Sequence, residues 1–220
     1  MLSVDNLSDR AYKYIYEAIS NNELPPGTLI SEVAIADKLH ISRSPIREAL
    51  RQMESEGLTT RYPNRGTYVK ELNKRDLDEI FELRLLFEIS ALESAIKYSQ
   101  DEMIDTLIAD FIRASETKDL NLAFETDVKT HSLIINSSLN SRLRNFTRIL
   151  DVQVNVIKRI SSKIPELYTI SCKVHMDILE AIKQRDLDLA KERLSEHILE
   201  VRDRTIKALR NYEIQSKINI

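Results

Sequence analysis

Glycine and proline are confined almost entirely to the first third of this chain. All three glycines (Gly27, Gly57, Gly66) and four of the five prolines (Pro25, Pro26, Pro45, Pro63) precede residue 67, and from Thr67 to Ile220 only Pro165 remains. Glycine admits positive φ and proline removes a backbone donor, so together they mark where tight turns are built. The chain therefore changes architecture near residue 70. The first part needs turns, whereas the second can be almost uninterrupted helix. With 220 residues there is enough chain for two cores, and the division expected is 1–72 and 73–220.

The first part reads as helix, turn, helix, turn, helix, hairpin. Leu7, Ala11, Tyr14, Ile15, Ala18 and Ile19 recur at helical spacing until Pro25-Pro26-Gly27 stops them. A short second helix follows to Leu39 with Ser31 as its N-cap, and His40-Ile41 makes a turn. Ser42 or Ser44 caps a third helix with Pro45 in its first turn, and Gly57 ends it in a left-handed C-cap. Leu58–Tyr62 and Thr67–Lys70, rich in Thr, Tyr and Val, predict a short β-hairpin around Pro63-Asn64-Arg65-Gly66. The second part predicts six helices near 74–98, 101–118, 120–137, 140–162, 166–184 and 186–212, packed as an antiparallel bundle. The fold class expected is mainly α: a winged helix-turn-helix followed by an all-helical domain.

Composition narrows the setting. The lone Cys172 cannot form an intramolecular disulfide, no signal peptide is read after Met1, and no apolar run approaches the ~20 residues that span a bilayer. A cytoplasmic protein without a membrane partner is expected. The net charge of −3 looks unsuited to nucleic acid, but charge is unevenly placed. Lys38 to Lys70 carries seven basic and three acidic residues, whereas residues 1–37 carry two basic and six acidic. The positive field is local, where a phosphate backbone would dock.

The third helix carries that charge. Ser42, Arg43 and Ser44 lie at its N-terminus, where exposed N–H groups and the helix dipole attract phosphate. Arg43 and Arg47 share a face, and an arginine can grip guanine O6 and N7 with two hydrogen bonds, which makes one of this pair the candidate base reader. Ile46, Ala49, Leu50 and Met53 form the opposite, buried face.

The run from Glu23-Leu-Pro-Pro-Gly through Ser42-Arg-Ser-Pro-Ile-Arg-Glu-Ala-Leu, Glu56-Gly-Leu and Pro63-Asn-Arg-Gly-Thr-Tyr-Val resembles the GntR family of winged-helix regulators over residues 8–70. The resemblance implies a homodimer on an inverted-repeat operator in double-stranded DNA. It implies that Ser42, Arg43, Ser44 and Arg47 meet the major groove and phosphates, and Arg65 with Gly66 the minor groove. His40 stands where relatives carry glycine; a positive φ there would be tolerated by histidine with some strain.

In the second part, polar groups interrupt apolar stripes. Asp127 and His131 share a face with Phe124 and Ile134, His175 with Ile178, Leu179 and Ile182, and His197 with Leu194 and Val201. A single histidine on such a stripe is more often a hydrogen-bonded core residue than a ligand. An inward Asp is harder to accommodate, since a buried carboxylate needs a cation or donors. One divalent metal would satisfy all four groups, and this donor set suits Zn, Ni, Mn or Fe alike.

Arg84-x-x-x-Glu88, Asp127-x-x-x-His131, Ser138-Leu-Asn140-x-x-Leu143, His175-x-x-Ile-Leu-x-Ala-Ile and Asp186 to His197 resemble the FadR-type (FCD) ligand-binding domain, in its metal-carrying branch. That resemblance implies metal ligands at Asp127, His131, His175 and His197. It also implies a pocket where a small organic acid completes the coordination, with Arg84 and Arg148 as residues that could pair with the acid. The function expected is a DNA-binding regulator, repressor by type and not an enzyme, controlled by a carboxylate effector. One alternative is a metalloenzyme tethered to DNA, with three histidines and one aspartate as ligands. The other is a DNA-bound dimer whose metal only stiffens the bundle.

Overall fold

The computed structural model describes residues 6–161 and 165–218, with side chains placed for 6–157 and 171–209. The expected ends of the first domain, at residues 1–5, and of the 140–162 helix fall outside that range. The chain forms two compact units: Met1–Leu72 with Val152–Ile160, and Asn73–Asp151 with Ser161–Ile220.

In the first unit α1 spans Leu7–Ser20, started by the Asn6 side chain accepting from the Ser8 N–H at 3.2 Å. α2 (Glu32–Leu39) starts at Ser31, whose hydroxyl accepts from the Ala34 N–H, and ends at His40 in the left-handed region at φ 52°. The strain anticipated at His40 is therefore present. α3 (Arg43–Ser55) has Ser42 at its N-cap without a side-chain hydrogen bond, so the hydroxyl of Ser42 is not consumed by capping. Past the end of α3, Gly57 takes φ +72°, and a Cβ there would run into the Gln153 amide. Strands β1 (Thr59–Tyr62) and β2 (Gly66–Val69) pair antiparallel, Thr59 opposite Val69 and Tyr62 opposite Gly66. Gly66 holds φ +99° at the turn, and its missing side chain admits Leu29, whose residue bridges to Tyr68. Ala11, Ile15, Ile19, Ile46, Ala49, Leu50, Met53, Leu58 and Val69 close the core, joined by Val156.

The second unit is helical: α4 (Lys74–Tyr98), α5 (Asp101–Thr117), α6 (Leu120–Ser137), most of α7 (Ser141–Ser161), α8 (Pro165–Lys183) and α9 (Leu187–Ile218). α4 opens with a capping box between Asn73 and Asp76, and α6 with Asp119 accepting from two backbone N–H groups. α9 runs six residues past the end expected from sequence. α4 packs on α6 and α9, and α5 on α6 and α8, while α8 also meets α9. No described helix is long and apolar enough to cross a membrane.

The buried stripe of α4 runs Leu77, Ile80, Phe81, Arg84, Glu88, Ala91, Leu92, Ala95. Two charged residues thus occupy the middle of an apolar face. Phe111 of α5 lies against the same centre, its ring stacked on His175 at 5.1 Å and 24°. Phe111 is 1% exposed, so Phe111→Ala is expected to destabilise the protein by about 3–5 kcal/mol. Urea unfolding followed by helical circular dichroism measures this; a loss below about 1 kcal/mol would contradict this packing.

Candidate metal centre and nucleic-acid interface

α6, α8 and α9 bring Asp127, His131, His175 and His197 together. One ligand atom from each lies within 4.8 Å of all the others. The three histidines are buried and Asp127 is nearly so. For comparison, bonds of about 2.0–2.2 Å around one ion separate its ligand atoms by about 3–4.4 Å. The cluster is therefore slightly open but of the size an ion requires.

The hydrogen bonds fix which nitrogens face inward. The Nδ1 of His175 lies 2.7 Å from the Ser171 carbonyl, which can only accept, so Nδ1 carries the proton. The Nδ1 of His131 lies 2.6 Å from Glu88 Oε2. Burial pushes the Glu88 carboxyl up, but the neighbouring His131 and Arg84 outweigh it and hold it at about 2, so Glu88 is ionised and accepts. The Nη2 of Arg84, a donor only, sits 2.7 Å from His131 Nε2, so that nitrogen presents a lone pair. Both imidazoles thus turn their Nε2 atoms to the centre. Those atoms lie 3.4 Å apart, and His175 Nε2 lies 3.2 Å from Asp127 Oδ2. Three imidazoles and a carboxylate with ligand atoms this close form a donor set that fits a divalent metal.

Glu88 carries the outer layer of the site. One carboxylate oxygen takes the Arg84 Nε–H at 2.7 Å and the other the His131 Nδ1–H, with both charged side chains buried. The Nη1 of Arg84 is buried without a hydrogen-bond partner. Arg148 behaves differently: it is exposed on α7. Leu143 and Thr147 take the inward positions of that helix, and the next residue points about 100° away. Arg148 is thus exposed on its helix, whereas Arg84 is buried beside the cluster. Sequence reading missed the role of Glu88, although its i, i+4 spacing from Arg84 was the available signal.

The first unit presents a separate polar face. Ser42, Arg43, Ser44 and Arg47 are exposed on the first two turns of α3, and Arg65 and Gly66 at the tip of the hairpin. Sequence reading also missed Glu32 at the start of α2, whose Oε2 accepts from Arg43 Nη2 at 3.2 Å and Arg47 Nε at 2.8 Å. No sequence signal marks it, because only the crossing of α2 over α3 brings the three together.

Comparison with known proteins agrees with both halves. Residues 7–69 match the family described as bacterial regulatory proteins of the gntR family, and residues 79–200 match the FCD domain. The gluconate operon transcriptional repressor of Bacillus subtilis is 28% identical over 190 residues, covering 81% of this chain and 76% of that protein. The crystal structure of a GntR-type regulator from Rhodococcus sp. RHA1 superposes with a TM-score of 0.78 at 17% identity, covering 91% of this chain and 98% of the other. A zinc-bound FCD domain, that of the protein TM0439, superposes at 0.55 and 21% identity over 63% of this chain and 97% of its own.

Glu88→Ala would leave the buried Arg84 guanidinium without its counter-charge, and is expected to cost about 3–5 kcal/mol in urea unfolding. A cost below about 1 kcal/mol would show that Glu88 does not anchor the site.

Proposed function

The chain belongs to the GntR family of bacterial regulators, its second half an FCD domain, and from that footing we propose that it is a metal-dependent sensor of a small carboxylate that controls binding to an operator. It is a transcriptional regulator and not an enzyme, since residues 7–69 match a family of regulatory proteins and the similar proteins are transcriptional regulators. The single observation that carries the effector reading is Arg84: a guanidinium buried against the histidine cluster, with one nitrogen lacking any acceptor.

Asp127, His131, His175 and His197 would hold one divalent ion; the zinc-bound FCD domain of TM0439 supports zinc among the candidates Zn, Ni, Mn and Fe. When bound, the ion supplies open positions to which an acid with an adjacent oxygen can attach. The remaining work belongs to the chain. Glu88 holds the Nδ1 proton of His131 and so keeps Nε2 directed at the centre. That nitrogen has one lone pair and serves Arg84 or the ion, not both. Arg84, still tethered to Glu88 through Nε, then has two Nη groups to receive the carboxylate of the effector. The buried setting keeps water from competing with that pair.

On the DNA side, Ser42, Arg43, Ser44 and Arg47 enter the major groove, and Arg65 with Gly66 follows the minor groove or adjacent backbone. A homodimer places two such faces on an inverted repeat, and the protein acts in the cytoplasm on chromosomal DNA. We read the control as repression, in line with the name of the gluconate operon repressor.

A panel of C2–C6 hydroxy- and dicarboxylic acids, titrated into zinc-loaded protein on an operator duplex selected from a random library, tests this reading by fluorescence anisotropy. At least one acid is expected to change operator affinity about tenfold, a coupling of about 1.4 kcal/mol. Arg84→Ala should abolish the shift while metal remains bound. Operator affinity indifferent to every acid would contradict the sensor reading. The metal should also leave as pH falls. Imidazoles bind only when neutral, so bound zinc is expected to persist at pH 7.5 and to be released below about pH 6, read by a colorimetric zinc indicator. Retention at pH 4 would argue against histidine ligation.

A further inference from the structure

A second carboxylate, at the first residue of α2, faces the exposed side of α3. One oxygen of Glu32 takes both Arg43 Nη2 and Arg47 Nε, while the two arginine side chains stay 53% and 55% exposed and Glu32 itself 25%. One carboxylate therefore holds both guanidinium groups while more than half of each arginine side chain stays in solvent. Arg51 and Arg61 line the same groove, with Glu54 beside them accepting from the Arg61 backbone N–H. Exposed ion pairs of this kind add little to folding, so stability does not account for the arrangement. What it does is mechanical and electrostatic. Arg47, held through Nε, has its two Nη groups left as a fork in a fixed plane, the arrangement that matches guanine O6 and N7. The same negative charge lowers the attraction of this face for any phosphate, which is the sequence-independent part of DNA affinity.

We propose that Glu32 is the specificity-determining positioning residue of the DNA-reading helix: it holds Arg43 and Arg47 as base readers and suppresses their use as general phosphate binders. This rests on the docking of α3 in the major groove proposed above. Removing the charge frees both guanidinium groups. Binding to unrelated DNA should then tighten, and binding to the operator should gain less or weaken.

The test uses the full chain on two duplexes, one selected from a random library by the wild-type protein and one scrambled from it. For Glu32→Gln the ratio of operator to scrambled affinity is expected to fall about tenfold, and the slope of log affinity against log salt on the scrambled duplex to steepen by about one. Arg47→Lys, which keeps the charge but loses the fork, should lower the ratio with the slope unchanged. On an Arg47→Ala, Arg43→Ala background, Glu32→Gln should leave the ratio unaltered. Thermal melting of each variant confirms that it is folded. A Glu32→Gln protein that keeps the wild-type ratio, or loses affinity equally on both duplexes, overturns the inference, while a ratio that falls in the Arg47→Ala, Arg43→Ala protein still upholds the docking face. A wild-type chain that enriches no duplex overturns both.

Discussion

Burying Arg84, Glu88, Asp127 and three histidines side by side is the demand around which the helical unit is arranged. Each ion taken out of water costs several kcal/mol unless it meets an opposite charge and its remaining hydrogen-bonding capacity is used. The solution draws on four helices. α4 supplies the charge pair that holds His131 from outside, α6 supplies His131 and Asp127, and α8 and α9 supply the remaining imidazoles. Buried apolar residues on the same and neighbouring helices, Phe81, Phe111, Ile134, Ile178, Leu194 and Ile198, surround these groups with a close-packed core. A low local dielectric strengthens every charge contact inside and makes any unpaired group expensive. For this reason the unpartnered nitrogen of Arg84 is the observation on which the proposed effector reading rests.

The first unit answers a different demand. Its charged groups must remain in water until DNA arrives, so they are carried on a rigid frame and left exposed. The frame is the small core between α1, α2 and α3, sealed by Ile15, Ile46 and Met53. On its surface the N-terminal end of α3 offers backbone donors and arginines, and the local excess of basic residues offsets an acidic chain. The face is not purely attractive to an anion, since the Glu32 carboxylate sits against Arg43 and Arg47, the two arginines proposed as base readers.

Much of this was legible before any coordinates. The confinement of glycine and proline foretold the change of architecture, and Gly57 and His40 do adopt the left-handed conformations their positions implied. The inward set Asp127, His131, His175 and His197 followed from helical spacing, because one stripe per helix leaves few ways to face a core. What spacing could not supply was the relation between helices. It showed Arg84 and Glu88 as an i, i+4 pair but not that Glu88 also reaches His131, a residue 43 positions away. It left Arg148 as plausible as Arg84, because the inward face of α7 is marked only weakly, by Leu143 and Thr147. It gave no reason to single out Glu32, nor to place Val156 in the core of the first unit. Each miss concerns a contact between elements distant in sequence, set by tertiary geometry rather than by local pattern.

The central claim is that the histidine–aspartate cluster is a metal site and not a polar knot in the core. Elemental analysis of protein purified without chelator or immobilised metal tests it most directly. The account predicts about one divalent ion per chain, as a single tetrad requires, and its loss in both His175→Ala and His197→Ala. Wild-type protein that carries no metal and takes up none when titrated with zinc would contradict it.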